Sequence, residues 1–355
     1  MSSFITLLVL AHGAYPLAYQ VLEQPGQPAA LVTGTTFGVL LSGDDGQDWK
    51  WVCEEAIGYG QSLTAVWWIS GQGRLLAGSF RGLFLSDDRG CSWQRIAQFD
   101  ELPDGGQGVG VADLHSSSAA LYAVSGKYGV VNGAWRSTDD GASWSALPLQ
   151  TDMEFFTTVR SAPSRPQRLY VAGWWFRPSP TEALYWSDDE GASFTRVDVS
   201  AKMPMVPVSA GGTALARGSF YVYAVHPTDP DRLWAGLQQD DDPRHSFVLE
   251  SADRGQTWSL LLDTADQLTS VVVSEDGATV WAGTSGKLYR GTGGGPLQPL
   301  DTPTRQACAA RHGARVYTCG WPEVDGFAVA RVGGDGGYEP VLTWPRITGV
   351  ASCPP

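Results

Sequence analysis

Carboxylates, aromatic rings and a few cationic side chains are the groups in this sequence with chemistry to offer. Asp240, Asp241 and Asp242 are consecutive, with His245 close behind, and Glu323 and Asp325 form a second acidic group. Two carboxyls facing each other across a glycosidic bond supply an acid and a base or nucleophile, so a glycoside hydrolase would draw on these residues. The same Asp run with His245 also suits a hard cation such as calcium. Solvated charge on a surface loop is the preferred reading of both groups, because carboxylates are seldom buried. No other metal and no organic cofactor is expected. Trp174, Trp175 and Arg177 combine flat apolar area with a rigid donor fork, a composition that binding anchors use. Lys127, Tyr128, Gln238, Trp321 and Glu323 complete the set of ligand-binding candidates, with Asp240 and His245. No Ser-His-Asp arrangement, HExxH or phosphate loop is present.

Such side chains need a scaffold, and the composition describes one. The chain has 355 residues with 43% apolar and only 17% charged side chains, together with 43 Gly, 22 Pro and 15 Trp. That is a folded, turn-rich chain with a core of large flat rings. A formal charge of −13 argues against nucleic acid and against an anionic membrane surface, both of which require clustered cations. No apolar stretch is long enough to span a bilayer. Residues 4–10 (FITLLVL) precede the small residues Ala11, Gly13 and Ala14 without a basic start. Residues 1–14 therefore read either as a signal-peptide remnant or as a first strand.

Internal repetition then fixes the architecture. An octapeptide recurs five times: 42–49 (SGDDGQDW), 86–93 (SDDRGCSW), 137–144 (STDDGASW), 187–194 (SDDEGASF) and 251–258 (SADRGQTW). Its form is S-x-D-x-G-x-[ST]-[WF], with Asp48 the exception at the Ser/Thr position. Asp44, Asp88, Asp139, Asp189 and Asp253 are placed to accept hydrogen bonds from turn amides, and the following Gly supplies a positive φ. Turn chemistry accounts for this spacing, so these Asp are read as structural rather than as metal ligands or acids. A second motif, an apolar run closing on small residues, recurs seven times at 31–34, 75–78, 121–124, 170–173, 233–236, 280–283 and 316–320. Its period of about 48 residues is that of a four-stranded propeller blade. The expected fold is all-β: a seven-bladed β-propeller over 15–346, with six blades the alternative. Segment 347–355 is left over as a tail that returns to blade one, closing the ring and bringing Cys353 near Cys53. The run 226–232 (HPTDPDR) reads as a turn between strands.

The octapeptide resembles the Asp box, or BNR repeat, of sialidase-like, sortilin-like and Ycf48-like propellers and of some glucanases. That resemblance implies the fold and leaves function open, because those families do different things. Sialidase chemistry would need an Arg cluster, a Tyr–Glu nucleophile pair and an acid. Arg160, Arg311, Glu182 and Tyr185 are the nearest approach, and the Arg-Ile-Pro motif of that family is absent.

Strands alternate in direction, so loops after second and fourth strands share the face opposite the boxes. The longer insertions fall there, at 125–131, 174–183, 199–219, 237–246 and 321–326. One decorated face over a rigid ring is where a propeller binds. The reading is a binding or assembly propeller for a protein or carbohydrate ligand, with a glycoside hydrolase of sialidase or glucanase type as the alternative. Cys308 and Cys319 flank a predicted hairpin with a Gly313-Ala314 turn and lie opposite each other, within disulfide range. A bond there implies an oxidising, extracytoplasmic or secreted setting, against a cytoplasmic one if both thiols stay free.

Overall fold

In the computed structural model, the described residues are 15–59, 66–99, 109–175, 181–207, 213–239, 245–292, 294–301, 303–305, 308–334 and 336–351. Seven blades follow one another along the chain, each built on four consecutive antiparallel strands in sequence order. The expected seven-bladed β-propeller is the observed fold. First strands are Ala18–Gln24, Val66–Ile69, Val111–Ser116, Glu154–Ala162, Gly218–Val225, Leu268–Val273 and Ala309–His312. Each packs beside the next, and the seventh packs beside the first. No helix among the described residues is long and apolar enough to cross a membrane.

An inner strand is a sheet edge facing a channel, so its amides need partners. Side chains from the neighbouring blade supply them. Gln20 exchanges two hydrogen bonds with the backbone of Trp67, at 2.9 and 3.0 Å. Asp113 accepts from the Val159 amide at 2.9 Å, Thr158 from Val222 at 2.8 Å, and Ser270 from Ala309 at 2.6 Å. His312, whose imidazole burial shifts toward the neutral form, donates to the Val21 carbonyl at 2.9 Å and carries the girdle across the ring seam.

Six buried apolar clusters each straddle two neighbouring blades. Their large rings, Trp49, Trp67, Trp234, Tyr170 and Phe220 among them, are fully buried. Removing this area from water is the main source of stability, at roughly 25 cal/mol per Å².

The five repeat turns share one geometry. The Ser hydroxyl accepts from the Gly amide at 2.7–3.0 Å and donates to the Asp carboxylate at 2.7–2.8 Å. That carboxylate accepts the amide four residues on at 2.8–3.0 Å. The Gly has φ between 80° and 90°, and the residue before it is also left-handed, with φ of 55–63° at Asp45, Arg89, Asp140, Glu190 and Arg254. Three of those side chains join ion pairs around the blade seams. Asp45 meets Arg331 of blade seven, Glu190 meets Arg136 of blade three at 2.5 Å, and Arg254 grips Asp231, which Arg168 of blade four also holds.

Blade seven closes on blade one through a shared cluster that includes Trp49, Tyr317, Val341 and Trp344. Beyond it, Ile347–Val350 pairs in parallel with Trp49–Val52 and adds a fifth strand to blade one. The Ala351 amide bonds the Trp51 carbonyl at 2.9 Å. Cys308 and Cys319 form a disulfide beside the 309–318 register pair. Cys53 is a free thiol, and Cys353 lies outside the described residues.

Candidate functional site

The inner strands enclose a central cavity of about 700 Å³, to which all seven blades contribute. On the insertion-bearing side, blade four raises two adjacent residues of opposite orientation. Register pairs Glu154 with Trp175 and Phe155 with Trp174, so successive residues face opposite sides of the sheet. Phe155 and Trp174 line the cavity and stack with centroids 4.9 Å apart and planes 28° apart. Tyr128, from the loop after the second strand of blade three, stacks on Phe155 at 6.3 Å and 27°. Tyr128 is 63% exposed, and Phe80 of blade two is 61% exposed. Phe80 also lines the cavity, and its carbonyl accepts from Lys127 Nζ at 3.2 Å. Blades two to four thus carry a run of aromatic rings to the channel mouth. Deeper on blade five, Tyr221 and Tyr223 stack at 5.9 Å along the wall.

The opposite side of blade four is polar and buried. Glu154 accepts from the Tyr185 hydroxyl at 2.6 Å, with Arg196 3.8 Å from its other oxygen. Burial pushes the Glu154 carboxyl above the usual range, against the hydrogen bond from Tyr185. Burial likewise raises the Tyr185 phenol. The guanidinium of Arg196 lies over the Trp175 ring at 5.7 Å. Trp175 therefore packs inside the blade, and Trp174 is the one at the channel.

Arg160 is the charged side chain in the described lining, and it is committed to the scaffold. It pairs with Asp113 and donates to the carbonyls of Val159 at 2.6 Å and Tyr223 at 2.9 Å. Burial raises the Asp113 carboxyl while the Arg160 charge pulls the other way. Arg311 does not join it: that side chain donates to Gly313 at the hairpin turn, 3.8 Å from Glu275. Glu182 does not meet Tyr185. Its buried carboxylate accepts from the Ser200 hydroxyl at 2.5 Å and the Gly218 amide at 2.7 Å, anchoring the base of a small hairpin, Met205–Pro207 with Thr213–Leu215.

The remaining candidates are spread around the ring. Gln238 bonds the Leu268 carbonyl at 2.9 Å, linking blades five and six. His245 lies 2.5 Å from Asp263 and against Phe247. Trp321, on blade seven, stacks with the Tyr15 ring at 4.3 Å and has the Arg305 guanidinium 4.8 Å from its centroid, and Glu323 accepts from the Tyr15 hydroxyl. Arg177 and Asp240, Asp241 and Asp242 lie outside the described residues. Among the described residues, no group of three or more His, Cys, Asp or Glu is placed to hold a metal ion. Sequence reasoning missed Phe155 and Glu154, which stand next to each other at the start of an inner strand. A carboxylate and an aromatic opening a strand was the available signal.

Comparison with known proteins adds to this geometry. No family model matches the chain. A probable oligoxyloglucan-reducing end-specific xyloglucanase of Neosartorya fischeri is 31% identical over 158 residues, which is 40% of this chain and 18% of that protein. The oligoxyloglucan-reducing end-specific xyloglucanase of Emericella nidulans is 30% identical over 135 residues, covering 36% and 15% respectively. The chain thus spans less than a fifth of either relative. Among solved structures, an ancestral GH74 enzyme superposes with a TM-score of 0.64 at 14% identity, over 91% of this chain and 46% of that one. YCF48 from Cyanidioschyzon merolae superposes with a TM-score of 0.58 at 13% identity, over 85% and 92%. At such identities the likeness shows the β-propeller fold alone.

Proposed function

We propose that this chain is a non-catalytic recognition propeller of the Asp-box superfamily that binds a glycan at its channel mouth. The observation that carries this reading is the stack of Tyr128, Phe155 and Trp174 at a cavity to which seven blades contribute. Aromatic faces offer apolar area to the C–H faces of a sugar at low entropic cost, and hydroxyl-rich neighbours such as Thr157, Ser219 and Tyr221 supply polar contacts. Local likeness to xyloglucanases supports a carbohydrate over a protein ligand. The disulfide between Cys308 and Cys319 supports an extracytoplasmic setting.

A glycoside hydrolase is the second reading, favoured by the same relatives and by Glu154, a carboxyl whose burial favours the protonated form an acid catalyst needs. Glu154 faces the packing between blades three and four, whereas the cavity is on the other side of the strand. Calorimetric titration with xyloglucan-derived oligosaccharides, followed by a glycan array, separates the two. Binding without release of new reducing ends is expected. Trp174→Ala should weaken binding by about 30-fold, the loss of a central aromatic anchor worth about 2 kcal/mol. Turnover of any bound glycan, or undiminished affinity in the Trp174 variant, overturns the proposal.

A further inference from the structure

The platform depends on two rings from different blades meeting, and one buried side chain bonds the backbone next to both. Asn132 opens the third strand of blade three and is fully buried. Its oxygen accepts from the Lys127 amide at 2.8 Å and from the Ser125 hydroxyl at 3.3 Å. Its amide nitrogen donates to the Lys127 carbonyl at 2.9 Å and to the Glu154 carbonyl at 2.8 Å. An Asn side chain has two donors and two acceptor lone pairs, and all four are used.

The residues it holds are the ones that matter. Lys127 immediately precedes Tyr128, and Glu154 immediately precedes Phe155. We propose that Asn132 is the positioning residue of the aromatic platform, clamping the blade-three loop to the edge of blade four so that Tyr128 and Phe155 meet pre-aligned. This rests on reading that platform as the glycan site. Two further contacts seat the loop. The Gly126 backbone lies so close to blade four that a Cβ there would be 2.8 Å from the Phe156 carbonyl. The Gly133 amide bonds the Ser125 hydroxyl at 2.9 Å, closing the loop's far end. A platform fixed before the ligand arrives loses no loop entropy on binding, and preorganisation of this kind raises affinity without adding a contact.

A double-mutant cycle on the full chain tests this, with a xyloglucan-derived oligosaccharide as the calorimetric probe. Tyr128→Ala and Asn132→Ala should each weaken binding by about tenfold, and the double variant should lose no more than Tyr128→Ala alone. Hydrogen exchange should show the Lys127 amide losing protection in Asn132→Ala while core strands keep theirs. If Asn132→Ala does not fold, Asn132→Asp keeps the shape and the acceptor oxygen but removes both donors. It should preserve protection at Lys127 and still lose affinity. Additive losses, or an Asn132 variant within twofold of the parent while Tyr128→Ala is impaired, overturn the positioning role alone. A parent that ignores the probe, or a Tyr128→Ala variant that binds like the parent, overturns the platform reading itself.

Discussion

Two glycines of blade one separate the strain of a turn from the fit between blades. Gly26 has φ +78° and Gly46 has φ +82°, so an alanine at either must enter the left-handed region, at about 1–2 kcal/mol. Their surroundings differ completely. A Cβ at Gly26 would meet nothing within 4 Å, whereas at Gly46 it would lie 2.6 Å from Val341 Cγ1 and 2.8 Å from the Val341 carbonyl oxygen. That carbonyl is backbone at the ring seam, held by Arg346 at 2.9 Å and Trp49 at 3.3 Å, so it cannot move aside cheaply. Overpacking of this kind costs about 1–3 kcal/mol more. Both substitutions also gain about 0.4–1 kcal/mol by restricting the unfolded chain, which cancels in the comparison. Gly26→Ala should therefore lose about 1 kcal/mol or less, and Gly46→Ala about 2–4 kcal/mol, measured by urea denaturation at matched slopes. Equal midpoints for the two variants would refute the claim that the repeat glycine serves the seam as well as the turn.

The box carboxylates give a pH signature. Hydrogen bonds from the Ser193 and Ser187 hydroxyls hold Asp189 down at about 2, and at Asp139 the Ser143 and Ser137 bonds outweigh the burial that would raise it. A carboxylate depressed by folding stabilises above its unfolded value of about 3.9 and loses that contribution as pH falls through the folded value. Asp139→Ala should thus cost about 1–3 kcal/mol at pH 7, nearer the lower figure because the turn meets solvent. Its deficit against the parent should shrink as pH falls below the unfolded value of about 3.9; a deficit that stays constant on acidification is incompatible with the linkage. Ending the chain at Pro345 removes the parallel fifth strand of blade one together with Arg346, whose guanidinium bonds Gly46 at 3.0 Å. Three or so backbone bonds at about 1 kcal/mol each imply a loss on the order of 3 kcal/mol, and an unshifted thermal melt would show that the tail does not hold the seam.

Much of this scaffold was legible because its determinants are local. The octapeptide encodes a turn whose bonds all lie within a few residues, so spacing alone identified Asp44 and its four counterparts as acceptors. The hairpin around Gly313 likewise put Cys308 opposite Cys319 by simple register. What escaped was decided between blades. The girdle formed by Gln20, Asp113, Thr158, Ser270 and His312, and the pairing of Tyr185 with Glu154 instead of Glu182, depend on partners about 30 or more residues away. Neither periodicity nor turn chemistry reports such contacts.

The same division explains why the binding candidates dispersed. Insertion length drew attention to Gln238, Trp321 and Glu323, yet each is bound to a neighbouring segment, Trp321 by both a ring and a guanidinium. Length marks where a loop leaves the sheet; it does not say which side chains stay available. The rings that reach the channel, Phe155 and Trp174, face each other across the first two strands of blade four. Alternation along that pair sends one set of side chains toward the cavity and the other into the blade. On the proposed reading, recognition would follow from the pleat of blade four, with the blade-three loop held against it by Asn132.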